Sequence, residues 1–224
     1  MAGIIPAPGS INIKLLDTDD MIVSLIMAGL ASKANDVIDR AARKSISPIG
    51  DVVQEAVFNC PEMVELRSGV LRGEFGLTKG KAQSASQDIA KRVGDSIMVR
   101  AHKVTSLGSS SKLRGGIEIL VQPIDFGNVL SSPLGMIRSE KGVQLQWLEW
   151  LLTLGDAVIV DGYEFRAKPG KGRSGLGAMA EMKTGIWRVP PEYAGTEDKN
   201  FITKALDNRK IGDKIASILQ KNMM

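Results

Sequence analysis

From residue 18 onward the apolar positions recur at helical spacing. Ile22, Ile26, Leu30, Ala34, Val37, Ile38 and Ala41 follow one another at steps of three and four, which places them on one face of a helix. Thr18 is a fitting N-cap, and Asp19 and Asp20 favour the positive end of the helix dipole. This predicts a long helix over roughly 19–44. Ser47 and Pro48 then read as the N-cap and first position of a second helix. Ile49, Val52, Val53, Ala56, Val57 and Cys60 carry its stripe, and Pro61 stops it. The most apolar run, 21–31, is bracketed by Asp19, Asp20 and Lys33. It is too short to span a bilayer and reads as a helix buried by packing.

Residues 1–17 carry Pro6, Pro8 and Gly9 and resist a helix, so they read as an extended N-terminal arm. A shorter helix is expected over 83–93. Period-two alternation then predicts strands over 96–105 and 117–123, with Ile97, Val99 and Ala101 on one face and Ile117, Ile119 and Val121 on another. The Ser- and Gly-rich stretch 106–116 between them reads as a long hairpin loop. Residues 143–154 hold Trp147, Leu148, Trp150, Leu151 and Leu152 and should be helical. Segments 157–160 and 163–167 flank Asp161-Gly162, a strong hairpin-turn dipeptide. A Gly-rich loop covers 168–177, and 186–189 forms a short strand ended by Pro190-Pro191. Helical pieces follow at 201–206 and 211–219, the latter with Ile211, Ile215, Ile218 and Leu219 on one stripe.

The expected fold class is α+β: long helices in the N-terminal part, antiparallel β-hairpins in the middle, helices in the C-terminal part. We read one domain over 1–224, with the arm at 1–17, a mainly helical part at 18–95, a mainly β part with one helix at 96–190, and C-terminal helices at 196–224.

Composition changes this picture little. At 43% hydrophobic residues the chain can bury a core. A formal charge of +4, from 29 basic and 25 acidic residues, is a mild excess, and the signs alternate instead of clustering as a nucleic-acid footprint would. The fullest local excess is Lys168, Lys171 and Arg173. The single cysteine, Cys60, has no partner for a disulfide or a zinc site; it reads as a small buried hydrophobe in a protein that folds under reducing conditions. The first residues do not follow the pattern of a secretory leader.

Candidate chemistry is sparse. Gly170, Gly172 and Gly175 match the G-x-G-x-x-G spacing after a strand. The dinucleotide motif also needs a helix opening at the third glycine and a returning parallel strand, and neither fits here; a basic loop is the expectation. His102, the only histidine, lies mid-strand beside Arg100 and Lys103 without a nucleophile elbow to serve. Asp19-Asp20 and Glu197-Asp198 read as helix N-terminal acids. Trp147, Trp150 and Trp187 read as core or interface and not as a stacking platform, because basic residues do not interleave with them. No catalytic, cofactor-binding or metal-ligating set is expected, and so no enzyme. The runner-up classes are a nucleic-acid-binding module, from the basic loop, and an enzyme resting on that loop or His102.

Two segments carry a resemblance. Leu66-Arg-Ser-Gly-Val-Leu-Arg-Gly-Glu-Phe-Gly-Leu77 resembles the Ser/Thr-Gly-x-Leu-Arg stretch that follows the first long helix in tailed-phage neck and tail-completion proteins. Trp187-Arg-Val-Pro-Pro-Glu-Tyr-Ala-Gly-Thr196 and Asn200-Phe-Ile-Thr-Lys-Ala-Leu206, within 175–206, are similar to the C-terminal end of phage virion proteins of the head–tail junction. The resemblance implies that the first segment turns the chain from helices into the sheet, with Ser68-Gly69 as the turn, Leu71 planting the next element, and Arg67 and Arg72 at the surface. It also implies a ring of six or twelve copies in the virion, assembled in the host cytoplasm, without cofactor or membrane. The ring would join the portal or head-completion side to the tail tube or terminator, and double-stranded DNA would pass through it without sequence readout. A tail terminator or minor tail protein is the related alternative. Lys112, Arg114, Lys168, Lys171 and Arg173 are then the candidate channel or neighbour contacts, since weak and mixed charge lets DNA slide.

Overall fold

The computed structural model describes residues 18–106, 112–121, 126–138, 142, 144–155 and 157–224; the expected arm at 1–17 lies outside them. The fold is α+β. Its spine is one helix, α1 (Asp19–Phe58), capped by the Thr18 hydroxyl, which accepts from the Met21 amide at 3.3 Å. The expected break at Ser47-Pro48 does not occur. Pro48 sits on the exposed side of α1, where the Lys44 carbonyl that loses its donor faces water. The buried side runs on without interruption through Ala41, Ala42, Ser45, Ile49, Gly50, Val53 and Val57.

After α1 come α2 (Pro61–Ser68), α3 (Val70–Glu74) and α4 (Lys79–Asp95). Gly69 separates α2 from α3, and Leu71 is fully buried, so the turn and the anchor fall where expected. The segment leads into helix α4, however, and only then into a sheet. α4 is longer than expected because Thr78 caps it. It crosses α1 where Gly50 meets Gly94: a Cβ on Gly94 would lie 2.8 Å from the Gly50 carbonyl oxygen, and one on Gly50 would lie 3.0 Å from that of Gly94. Only glycine lets the two backbones come so close.

Strands β1 (Met98–Ser106) and β2 (Leu113–Leu120) form an antiparallel hairpin with a bulge between His102 and Thr105. The strands therefore extend into the stretch read as loop. The hairpin lies on α1 and is clamped there by one side chain. Asn35 accepts from the Val104 amide at 2.7 Å and donates to the Val104 carbonyl at 3.1 Å, imitating a neighbouring strand. Of the face assigned to Ile97, Val99 and Ala101, Ile97 is buried, Val99 half-buried and Ala101 exposed.

Next come α5 (Gly127–Leu130), a 3-10 turn at Pro133–Gly135, and the short pair β3 (Ile137–Arg138) and β4 (Gln144–Leu145). Helix α6 (Trp147–Leu152) is shorter than the pattern predicted, because Gln144 and Leu145 are drawn into pairing with β3. β5 (Val160–Ala167) and β6 (Gly177–Trp187) form the third antiparallel pair. Asp161-Gly162 is thus not a hairpin turn. It is a bulge inside β5: Asp161 faces Ile186 and Tyr163 faces Glu181. Gly162 takes φ +77° there, and its amide donates to the Asp161 carboxylate at 2.9 Å. β6 offers β5 a continuous partner, which overrides the local turn signal.

α7 (Phe201–Leu206) is capped by Asn200, whose side chain accepts from the Ile202 and Thr203 amides. Glu197 and Asp198 precede that cap and do not occupy the first turn as expected. α8 (Arg209–Met223) runs antiparallel to the second half of α1, tied by Lys214 to Glu55 at 3.2 Å and by Asn222 to Ser45 at 2.9 Å. Ile215, Ile218 and Leu219 form its packing stripe. The core lies between α1, α2, α4, α6 and α7, where Ile49, Met63, Leu66, Leu71, Ile89, Trp147, Leu148, Leu151, Leu152, Phe201 and Ile202 are all fully buried.

Candidate functional site

The first turns of α1 do what the sequence did not announce. The run 21–31, read as buried by packing, is instead largely in solvent: Leu25 is 67% exposed, Ile26 56%, Met21 53% and Leu30 49%, Ile22 and Met27 are half-buried, and only Ala31 is buried. Among the described residues one helix, α1, is long and apolar enough to cross a membrane, with a mean hydropathy of 1.4 over an 18-residue window that is 11% buried. Its geometry is informative. Successive helical residues are displaced by about 100°. On that projection the buried residues Ala31, Ala41, Ala42 and Ser45 fall within about 100° of one another. Ile22, Leu25 and Ile26 fall on the opposite side, flanked by Met21 and Leu30. Of the large apolar residues before Ala31, Val23 and Met27 share the inward side with Ala41 and Ser45, while Met21, Ile22, Leu25 and Ile26 lie away from it. Such a surface marks a contact with something else.

The candidate basic residues fall into two sets on two different hairpins. Lys112 and Arg114 are exposed at the start of the second strand of the first hairpin, Arg114 opposite Thr105. Beside them a shallow niche is lined by His102, Lys103, Thr105, Arg114 and Gly116. It exists because Gly116 faces His102 across the strands with no side chain to fill the space. His102 itself lies 3.0 Å from the Glu118 carboxylate. Sequence reasoning had set His102 aside and had not joined it to Arg114; the bulge brings them together. Lys168, Lys171 and Arg173 are exposed at the tip of the β5–β6 pair. There Arg173 donates to the Arg138 carbonyl at 2.7 Å and pins the tip to β3.

The glycine spacing at 170–175 is explained by this tip. Gly170, Gly172 and Gly175 all take positive φ, at 74°, 67° and 73°. Cross-turn bonds run from the Gly170 amide to the Gly175 carbonyl at 2.8 Å and from the Gly177 amide to the Lys171 carbonyl at 3.1 Å. A Cβ at Gly172 would lie 1.8 Å from the Gly177 carbonyl oxygen. The chain then returns as antiparallel β6, so no helix N-terminus faces the loop as the dinucleotide motif requires.

A groove of about 460 Å³ separates the end of α1 from α7 and α8, lined by Glu55, Cys60, Glu62, Lys204, Asn208 and Lys214. Burial pushes the Cys60 thiol up to about 12, which keeps it protonated and inert. The buried Glu62 carboxylate is neutralised by Lys204 at 3.1 Å. Among the described residues no three His, Cys, Asp or Glu side chains converge to hold a metal ion.

Trp147, Trp150 and Trp187 gather around Phe75, with centroid distances from Phe75 of 5.5, 6.5 and 6.0 Å. Trp147 is fully buried, so the reading of these rings as core holds. The Trp187 indole donates to Glu74 at 3.2 Å. Burial pushes the Glu74 carboxyl up to about 7, against the pull of the indole N–H and with the nearby Glu192 adding to the rise. Arg67 and Arg72 are not left at the surface. The Arg67 guanidinium lies 3.9 Å over the Phe58 ring and donates to the Phe58 carbonyl, and Arg72 donates to the Arg67 carbonyl at 3.3 Å. Both close the α1–α2–α3 corner instead of waiting for a partner.

Comparison with known proteins finds no matching protein family, no matching curated protein and no matching solved structure.

Proposed function

We propose that this chain is a structural component of a tailed-phage virion: copies form a ring in the neck, between the portal or head-completion side and the tail, and double-stranded DNA passes through its lumen. The observation that carries the proposal is the outward-facing apolar arc on the first turns of α1. A packed body that presents large aliphatic side chains away from itself is built for assembly. The resemblance of 66–77 and 175–206 to neck and head–tail junction proteins supplies the context. The two basic hairpin tips, with Lys112 and Arg114 on one and Lys168, Lys171 and Arg173 on the other, suit weak contacts with a sliding polyanion or a neighbouring subunit.

The test is the mass of the purified full chain by light scattering over a range of concentrations, with negative-stain imaging of the same sample. A discrete species of six or twelve copies with a central hole is expected. A second reading, a nucleic-acid-binding module, is favoured by one observation, the niche of His102, Lys103 and Arg114. A monomer that binds duplex DNA tightly, with an affinity that falls steeply with salt, would establish that reading in place of the ring.

A further inference from the structure

We propose that the apolar arc of α1 docks on the same arc of a second copy of this chain, antiparallel, about a two-fold axis at Ile26. This rests on reading the start of α1 as an assembly surface, and it names the partner.

Three observations lead there. The arc points away from the side on which α1 is buried, so the chain's own core does not cover it. The order of residues along the arc is also complementary to its own reverse. Asp19, Ile22, Ile26, Leu30 and Lys33 share one stripe about 80° wide along the helix, Ile22 half-buried and the other four exposed. Asp19 and Lys33 are each seven residues from Ile26, two helical turns either way. Laid antiparallel on a copy, Asp19 meets the copy's Lys33, Ile22 meets its Leu30, and Ile26 meets itself. A two-fold axis repeats every one of these contacts, as an isologous interface requires. Antiparallel helix dipoles add to the fit. Finally, Asp19 and Lys33 are both exposed and so lie within reach of such a partner.

A lipid surface fits less well. The uncharged run 21–32 rises about 18 Å against a hydrocarbon core of about 30 Å, and any 18-residue stretch that begins within it takes in Lys33 and Asp36. Directly beyond it come Lys33, Asn35 and Asp36, and Asn35 is held to the Val104 backbone by two hydrogen bonds. An interfacial helix would carry Lys or Arg along its polar side; here residues 19–32 hold Asp19 and Asp20 and no basic residue.

The contact is small, so pairing through it should be weak and concentration-dependent, in the micromolar range. In a ring closed through other faces, the same two-fold contact joins two rings.

The test uses the full chain with Cys60 in place, since its buried thiol does not react. Under mild oxidation Ile26→Cys should cross-link to a dimer. Asp19→Cys alone should not, but an equal mixture of Asp19→Cys and Lys33→Cys should. In sedimentation velocity, Ile26→Asp should halve the mass of the paired species without moving its melting temperature. Asp19→Lys should weaken association several-fold at low salt, and Asp19→Lys combined with Lys33→Asp should restore it. The proposal is overturned by cross-linking of Asp19→Cys alone as fast as Ile26→Cys, which signals parallel helices, or by a monomer at every concentration. Flotation with phosphatidylglycerol/phosphatidylcholine vesicles that Ile26→Asp abolishes would replace the second copy with a membrane. A six- or twelve-copy ring unchanged by Ile26→Asp would end this inference and keep the neck reading. A dimer that assembles no further would do the reverse.

Discussion

The two halves of α1 both carry large aliphatic residues, the first half more of them, and have opposite fates. In the second half Ile49, Val53 and Val57 are all 0% exposed, covered by α4 and α8 and by the α2–α3 corner. In the first half Leu25, Ile26 and Met21 are more than half exposed. Intrinsic preference does not separate them: both halves are unbroken helix, and the half containing Pro48 is the buried one. What separates them is cover. From Ala41 onward the inward arc carries first small residues, then Ile49, Val53 and Val57, and α4 and α8 lie against the helix. Before Ala31 large residues lie on both sides, Val23 and Met27 inward and Met21, Ile22, Leu25 and Ile26 outward, and most of them stay in solvent. The lesson is that helical periodicity locates a stripe but does not say whether the partner is the same chain.

The strongest way to break this comparison is to cut equal side chains from both halves. Ile49→Ala should cost about 2–5 kcal/mol, because a fully buried aliphatic leaves a cavity; chemical denaturation reads it. Gly94→Ala sharpens the account of the buried half. Its Cβ would press on the Gly50 backbone, which has no rotamer to yield, so a loss of about 1–3 kcal/mol is expected, with α1 and α4 forced apart.

Glu74 tests the body on which that half rests. Its folded-state carboxyl titrates near 7, above the ordinary 4.5. The folded protein therefore holds a proton that the unfolded chain releases. The stability this contributes is complete below about 4.5 and is lost as pH rises through about 7. Glu74 is only partly buried, so after discounting for solvent screening the loss is about 1 kcal/mol. Glu74→Gln should flatten the denaturation midpoint between pH 4.5 and 7 and raise stability at pH 8, while the exposed half of α1 reports no change. The smallest effect belongs to that exposed half. Leu25→Ala should move monomer stability by no more than about 0.5 kcal/mol. A cost near that of Ile49→Ala would mean that the start of α1 is packed after all.

Much of the fold was legible. The cap at Thr18, the stop before Pro61, the stripe of α8 and the pairing of β1 with β2 are local signals that tertiary packing did not override. Legibility failed where a partner outvoted the local pattern. Pro48 reads as a helix start, yet its side of α1 faces water, so the helix loses one hydrogen bond and keeps its packing. Asp161-Gly162 reads as a turn, yet β6 runs alongside and absorbs it as a bulge. Gln144 and Leu145 leave α6 for β3. Of the candidate site, all five basic residues are exposed, but Arg114, expected in a loop, lies within β2 and Lys112 directly before it. The niche joining Arg114 to His102 was not visible, because it depends on a bulge that shifts register. Arg67 and Arg72 were expected at the surface; their guanidinium groups instead close a corner around Phe58 and its neighbours.

By itself the sequence determined the fold class, helix over most of α1, α4, α6, α7 and α8, and the hairpin of β1 and β2, because periodicity, caps and turn residues act over a few positions of chain. The tertiary structure alone decided which stripes meet. It brought Gly50 to Gly94 and Asn35 to Val104, and it left Met21, Leu25 and Ile26 in solvent. Those outcomes depend on where distant segments come to rest, and a helix whose last turns are locked into the body has no freedom to rotate its first turns inward.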